Sequence, residues 1–70
     1  MKKISIVIPA LNEEQAIGRV ISAIPVKDFK KLGLQTEILV IDNGSTDRTK
    51  TIAEQNGAKV IIQPDRGYGN

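Results

Sequence analysis

The sequence has no cysteine, no histidine and no tryptophan, and its only aromatic residues are one Phe and one Tyr. Without cysteine there is no disulfide framework and no thiol chemistry, so nothing directs the chain to an oxidising compartment. Without cysteine or histidine, a zinc centre or a histidine-based catalytic triad cannot be assembled from these 70 residues. No apolar run approaches the roughly 20 residues needed to cross a bilayer. The first residues, Met1-Lys2-Lys3-Ile4-Ser5, lack the apolar stretch of a signal peptide, which makes the cytoplasm the expected location. The charge balance is close to even, ten Lys/Arg against eight Asp/Glu. Only Lys2/Lys3 and Lys30/Lys31 are adjacent cations, and no basic stripe with interleaved aromatics runs along the chain, so no nucleic-acid partner is expected.

What the chain does contain is isoleucine and valine, gathered in short clusters that suit buried strands. Lys3 to Pro9 reads as a first strand, Ile4-Ser5-Ile6-Val7-Ile8, stopped by Pro9. A helix follows, with Asn12 as its N-cap and Glu13, Glu14 and Gln15 in the first turn. Ile17, Val20, Ile21 and Ile24 make one apolar stripe along it, and Pro25 ends it. Residues 26 to 35 read as a loop with one helical turn around Phe29 and Leu32. Glu37 to Asp42 is the second strand. The turn Asn43-Gly44-Ser45-Thr46 follows, with Ser45 or Thr46 capping a second helix that reaches about Asn56. That helix has a thin apolar face, Ile52 and Ala53 with threonine methyls, and Gly57 suits its C′ position. Lys59 to Gln63 is the third strand, and Pro64 to Asn70 is a turn-rich tail.

Strand, helix, strand, helix, strand predicts a parallel α/β sheet of Rossmann-like type with right-handed crossovers and strand order 3-2-1. Both helices then lie on one face. Yet the strands are apolar on both faces, with Ile4, Ile6 and Ile8 against Val7, and Ile38 and Val40 against Leu39 and Ile41. A parallel sheet of that kind expects cover on both sides. A chain this short, with no disulfide or metal, buries only roughly 60% of its unfolded surface. Residues 1–70 are therefore expected to be the amino-terminal part of a larger domain. The competing expectation is a complete small protein that pairs with itself over its bare face.

In open α/β sheets ligands bind at the carboxyl ends of the strands. Three polar clusters fall there: Pro9 to Glu13, Asp42 to Asp47, and Asp65 to Asn70. Asp42 ends a buried strand, where its carboxylate either closes the turn or accepts the imino N–H of a uracil or guanine base. Glu13 either accepts ribose hydroxyls or base donors, or serves the dipole of the helix it opens. Asp47 is read as structural, favouring the start of the second helix. Arg66, followed by glycines, either pairs with a phosphate or stacks on a base, or is a plain surface cation. Neither a G-x-G-x-x-G after the first strand nor a Walker A sequence is present, which argues against NAD and P-loop chemistry.

Taken in order, Ile4-Ser5-Ile6-Val7-Ile8-Pro9-Ala10-Leu11-Asn12-Glu13-Glu14, then Ile38-Leu39-Val40-Ile41-Asp42-Asn43-Gly44-Ser45-Thr46-Asp47-Arg48-Thr49, then Arg66-Gly67-Tyr68-Gly69-Asn70, the sequence resembles the start of glycosyltransferase family 2. This is the inverting family of GT-A fold that uses nucleotide sugars. Within it the chain looks most like the branch that makes polyprenyl- or dolichyl-phosphate sugars, and relatives with small phosphorylated acceptors. The resemblance implies that Pro9, Leu11 and Glu13 grip the nucleoside while Ala10 and Asn12 shape the turn. It implies that Asp42 contacts the base, that Asp47 supports the turn, and that Arg66 lies near the nucleotide. Two positions depart from the common pattern: Asn43 stands where many members have a second aspartate, and Leu11 where many have tyrosine.

The resemblance also implies a donor of UDP or GDP type and a divalent metal, Mg or Mn, for the parent enzyme. The metal-binding Asp-x-Asp and the general base of the family follow later strands, so within this chain no metal site and no catalytic residue are expected. The 70 residues alone are expected to be inactive, and a lipid-phosphate acceptor would bring the parent to the cytoplasmic face of a membrane. Two other readings compete. One is a fragment resembling a sugar nucleotidyltransferase, disfavoured because the loop after the first strand, Pro9-Ala10-Leu11-Asn12-Glu13, is acidic and glycine-free. The other is a non-catalytic truncated module that self-associates through its bare sheet face or edge strand.

Overall fold

The computed structural model describes residues 2–63. The elements are β1 (Lys2–Ala10), α1 (Ile17–Ser22), α2 (Val26–Lys31), β2 (Leu34–Asp42), α3 (Thr49–Gln55) and β3 (Lys59–Ile62). All three strands are parallel, in the order β1-β2-β3, so the longest apolar cluster, Ile38 to Ile41, lies in the central strand. The register is unbroken from Lys2 beside Leu34 to Ala10 beside Asp42. Val60 of β3 stands beside Val40. The strand order is the one the sequence predicts.

Alternation along the strands sends Ile8, Ile38, Val40 and Val60 to one face. There they meet Ile17 and Ile21 of α1 and Ala53 of α3, with Ala10 and Ala58 completing the cluster. Ile17, Val40 and Ala53 are sealed from solvent. Each large side chain buried in this way contributes about 2 kcal/mol from the area it withdraws from water. Both α1 and α3 thus serve one face, as right-handed crossovers require. The opposite face carries Val7 and Ile61, both exposed, beside half-buried Leu39 and Ile41. None of the helices' buried side chains reaches it.

The helices differ from the sequence reading at their starts. Asn12 is not an N-cap. It takes a left-handed conformation (φ 52°), and α1 opens five residues later at Ile17, after a turn in which Ala16 and Ile17 donate to the Glu13 carbonyl. Glu13 and Glu14 consequently sit in a loop and not in a first helical turn. The short helix splits the expected stripe: Ile17 and Ile21 are buried, Ile24 is half-buried and Val20 is exposed.

Pro25 also plays a different part. The helix has already closed at Ser22, and Pro25 forms the N-cap of α2, the helical turn expected near Phe29. Likewise α3 starts at Thr49, and neither Ser45 nor Thr46 caps it. Its far end follows expectation, with Gly57 at φ 92° after the C-cap Asn56. Gly18 lets α1 lie close to α3, because a Cβ there would stand 3.2 Å from the Asn56 amide and 3.4 Å from the Ile52 methyl. Strand β2 begins three residues earlier than predicted, at Leu34, because it pairs with β1 over the full length of that strand.

Candidate functional site

The carboxyl ends of β1 and β2 finish side by side, Ala10 against Asp42, and both residues are buried (3% exposed). The next residue, Asn43, donates its backbone N–H to the Ala10 carbonyl at 2.9 Å. From β3 the Gln63 N–H donates to the Asp42 carbonyl at 2.8 Å. Asp42 therefore stands where all three strands end. Its Oδ1 accepts the backbone N–H groups of Gly44 (3.1 Å) and Ser45 (2.7 Å), which closes the turn. Gly44 has φ 105°, a conformation open to glycine and strained for other residues. Among the described residues, Oδ2 of Asp42 takes no hydrogen bond.

The loop after β1 and the loop after β2 are tied together. Asn12 donates its N–H to Ser45 Oγ at 2.8 Å, and its side-chain Oδ1 accepts the Thr46 N–H at 2.9 Å. Glu13 donates its N–H to Thr49 Oγ1 at 2.8 Å, and Glu14 donates to Asp47 Oδ2 at 3.2 Å. In return the Arg48 N–H donates to Glu14 Oε1 at 3.0 Å. Asp47 Oδ1 accepts both the N–H and the hydroxyl of Thr49. This gives the start of α3 the acceptor that its N-cap residue, Arg48, does not supply. The Thr49 hydroxyl holds the Asp47 carboxyl below the usual carboxylate range. Asp47 is thus the structural acid the sequence suggested.

Of the residues singled out from sequence, Pro9, Leu11, Glu13 and Asp42 lie together at this edge. Arg66 lies outside the described residues, as does the tail from Pro64 to Asn70. Pro9, Leu11 and Glu13 are exposed, Leu11 at 52%, so three side chains are free to meet a ligand while Asp42 is held behind them. A depression of about 500 Å³ opens beside the first loop, lined by Glu13, Gln15, Arg19 and Asp47 among others. Asp42 is not part of its wall, so the described residues do not bring Glu13 and Asp42 into one pocket. Among the described residues no group of three or more acidic side chains is placed to hold a metal ion.

Thr49 is a key residue that the sequence reading does not single out. It is fully buried and polar, and it links Glu13, Asp47 and the core-facing side of α3. Its signal in the sequence is an acid two residues before a threonine that shares an apolar stripe with Ile52 and Ala53.

A parallel α/β edge with interlocked loops defines a fold class, and the solved structures sharpen it. The chain superposes on glucosyl-3-phosphoglycerate synthase of M. tuberculosis with a TM-score of 0.69 at 39% identity, over 87% of this chain and 22% of that one. It matches the same enzyme in complex with Mn2+, UDP-glucose and glycerol 3-phosphate at a TM-score of 0.67 and 39% identity, over 87% and 21%. The fold is therefore that of the GT-A glycosyltransferases. The profile of glycosyl transferase family 2 matches residues 5–70, and the chain belongs to that family.

Among curated relatives, an uncharacterised glycosyltransferase of Mycobacterium bovis is 42% identical over 67 residues, which is 96% of this chain and 27% of that protein. The glucosyl-3-phosphoglycerate synthase of Petrotoga mobilis is 46% identical over 63 residues, 90% of this chain and 19% of that protein. The chain spans about a fifth to a quarter of the length of these relatives. The family match does not favour the nucleotidyltransferase reading.

Proposed function

We propose that the carboxyl edge of this sheet is the nucleoside half of the donor site of a glycosyltransferase, and that residues 1–70 are the nucleotide-binding part of a larger domain. The donor is a nucleoside diphosphate sugar. Uridine is favoured over guanosine, because the neighbouring synthase has been solved with UDP and with UDP-glucose. In this reading Asp42 accepts the imino N–H of the base through Oδ2, the oxygen left over from its turn. Pro9 and Leu11 pack against the nucleoside, Glu13 accepts from the ribose or the base, and Arg66 lies toward the diphosphate. Localisation in the cytoplasm, where such donors are available, follows from the same reading.

The whole protein would transfer the sugar with inversion to a hydroxyl or phosphate acceptor. A small phosphorylated acceptor is supported by the glucosyl-3-phosphoglycerate synthases among its relatives, and a polyprenyl phosphate by the motif resemblance. A divalent ion accompanies the donor in the neighbouring structure. The residues described here do not suit one: Asp42 spends Oδ1 on its turn, and both oxygens of Asp47 are taken by backbone and hydroxyl donors. No step involving the metal is assigned to them. A hydroxyl acceptor would need a general base to take its proton, a role assigned to no residue described here, and the 70 residues alone are expected to be inactive.

The observation that carries the reading is the buried Asp42, with one oxygen committed and one available at the end of the central strand. Asp42→Asn keeps Oδ1 for the turn but replaces the second acceptor by a donor. The expected result is a loss of UDP affinity of about tenfold or more, as for a hydrogen bond to a charged group, with the fold retained. Unchanged UDP binding by calorimetry would refute the base contact.

A second reading keeps a specific observation. Val7 and Ile61 are exposed on a sheet face without helical cover, a surface suited to self-association. A mass that rises with concentration, together with indifference to nucleotide, would favour it.

A further inference from the structure

The lysines of this chain look scattered in sequence, but folding gathers them. Six of the seven lie around the amino end of the sheet and the helix that flanks it: Lys2, Lys3, Lys27, Lys30, Lys31 and Lys59. The register sets Lys2 beside Leu34, just after the turn that leaves α2, and Lys30 borders a depression with Val26 and Leu34. Lys3 and Lys59 line a second depression that also includes Val26. The acidic groups at this end are Asp28 on α2, Glu37 on β2 and Glu54 in the last turn of α3, and Glu37 pairs with Lys3 at 3.4 Å. Six cations against three carboxylates leave the region net positive. Leu32, which follows Lys30 and Lys31, is 74% exposed, the most exposed large apolar side chain of the described residues, and Val26 at the other end of α2 is 39% exposed.

We propose that this basic end, with the exposed Leu32 beside Lys30 and Lys31, is a docking surface for an anionic lipid bilayer. Charge complementarity carries the argument. Clusters of four to eight lysines attract anionic headgroups at about fivefold in affinity per lysine. A single protruding apolar side chain amid them can enter the headgroup layer while the long lysine stems keep their ammonium groups at the phosphates. A nucleic-acid partner would call for exposed aromatics to stack on bases. The nearest aromatic, Phe29, is half-buried. The proposal is independent of the nucleoside site, which lies at the opposite end of the strands.

The test is sedimentation of the chain with vesicles of phosphatidylcholine alone and of phosphatidylcholine mixed with phosphatidylglycerol, at rising salt. Binding is expected to the anionic vesicles only, and to weaken as salt screens the surface. Lys30→Gln with Lys31→Gln is expected to lower the partition about 25-fold, and Leu32→Ser severalfold. Lys50→Gln, which removes the one lysine on α3, is expected to change little. All these side chains are exposed, so circular dichroism should show the fold intact. Equal binding to neutral vesicles, no binding to either, or an equal loss with Lys50→Gln would overturn the proposal. So would equally tight binding to a single-stranded oligonucleotide, which would make the surface a general polyanion site.

Discussion

The two ends of this sheet handle polar groups in opposite ways. At the carboxyl end, Asn12, Ser45, Thr46, Asp47 and Thr49 are engaged with one another or with neighbouring backbone. Charge there is mainly acidic, from Glu13, Glu14, Asp42 and Asp47. At the amino end the lysines project into solvent, the one ion pair of the described residues is on the surface, and among those residues the buried hydroxyl of Thr36 has no partner. One end is a pair of loops locked in place and the other is an open, positively charged margin. Preorganised polar groups at the end of a parallel sheet suit recognition of a specific ligand. A loose ring of lysines suits a diffuse one.

The sharpest way to break this contrast is to make the same substitution at both ends. Thr49→Val keeps the buried shape but removes the donor to Asp47 and the acceptor for Glu13. It is expected to destabilise the chain by about 2 kcal/mol in urea titration and to let the Asp47 carboxyl return toward its ordinary value. Asn12 comes next. Asn12→Ala loses the acceptor for Thr46 and forces alanine into a left-handed conformation, at a cost of about 1.5 kcal/mol. Asn12→Asp keeps the acceptor and should be nearly neutral.

Thr36→Val removes a hydroxyl that has no partner, and is expected to stabilise by about 1 kcal/mol. Equal signs for the two Thr→Val changes would erase the distinction between the ends.

The smallest effect lies in the response to acid and salt. The Glu37 carboxyl is held low by the Ser5 hydroxyl first and then by Lys3, and that of Asp47 by the Thr49 hydroxyl. Both are depressed in the folded state, so both contribute stability above their ordinary values of 4.5 and 3.8 and lose it as pH falls further. Salt screens the part of the Glu37 effect that comes from Lys3. The Asp47 part, built on hydrogen bonds, should persist. Acid titrations at low and high salt, with Asp47→Asn and Glu37→Gln, separate the two.

Much of this architecture is written in local patterns. The three Ile/Val clusters mark the strands because a doubly apolar parallel strand has few other readings, and Gly57 marks a helix end because only its backbone takes the needed φ. The helix starts were less legible. Asn12, Ser45 and Thr46 have the chemistry of N-caps, but each met a partner from the other loop, more than thirty residues away, and the long-range bonds won. The same limitation hid the basic margin. Lys2, Lys30 and Lys59 are far apart in sequence, and only the parallel register brings them to one end. For the proposed nucleoside site, the sequence places Pro9, Leu11, Glu13 and Asp42 at one edge. The way Asp42 divides its two oxygens could be read only from the turn itself.

The most direct test of the nucleoside site is an amide NMR titration of the labelled chain with UDP and, separately, GDP. Shifts are expected to concentrate at Leu11 to Glu13 and from Asp42 to Ser45, to be larger for UDP, and to be small at Lys2, Lys30 and Lys31 at the basic end. Shifts centred on those lysines for both nucleotides would mean that the diphosphate is merely attracted to positive charge, and would contradict a built nucleoside site at the carboxyl edge.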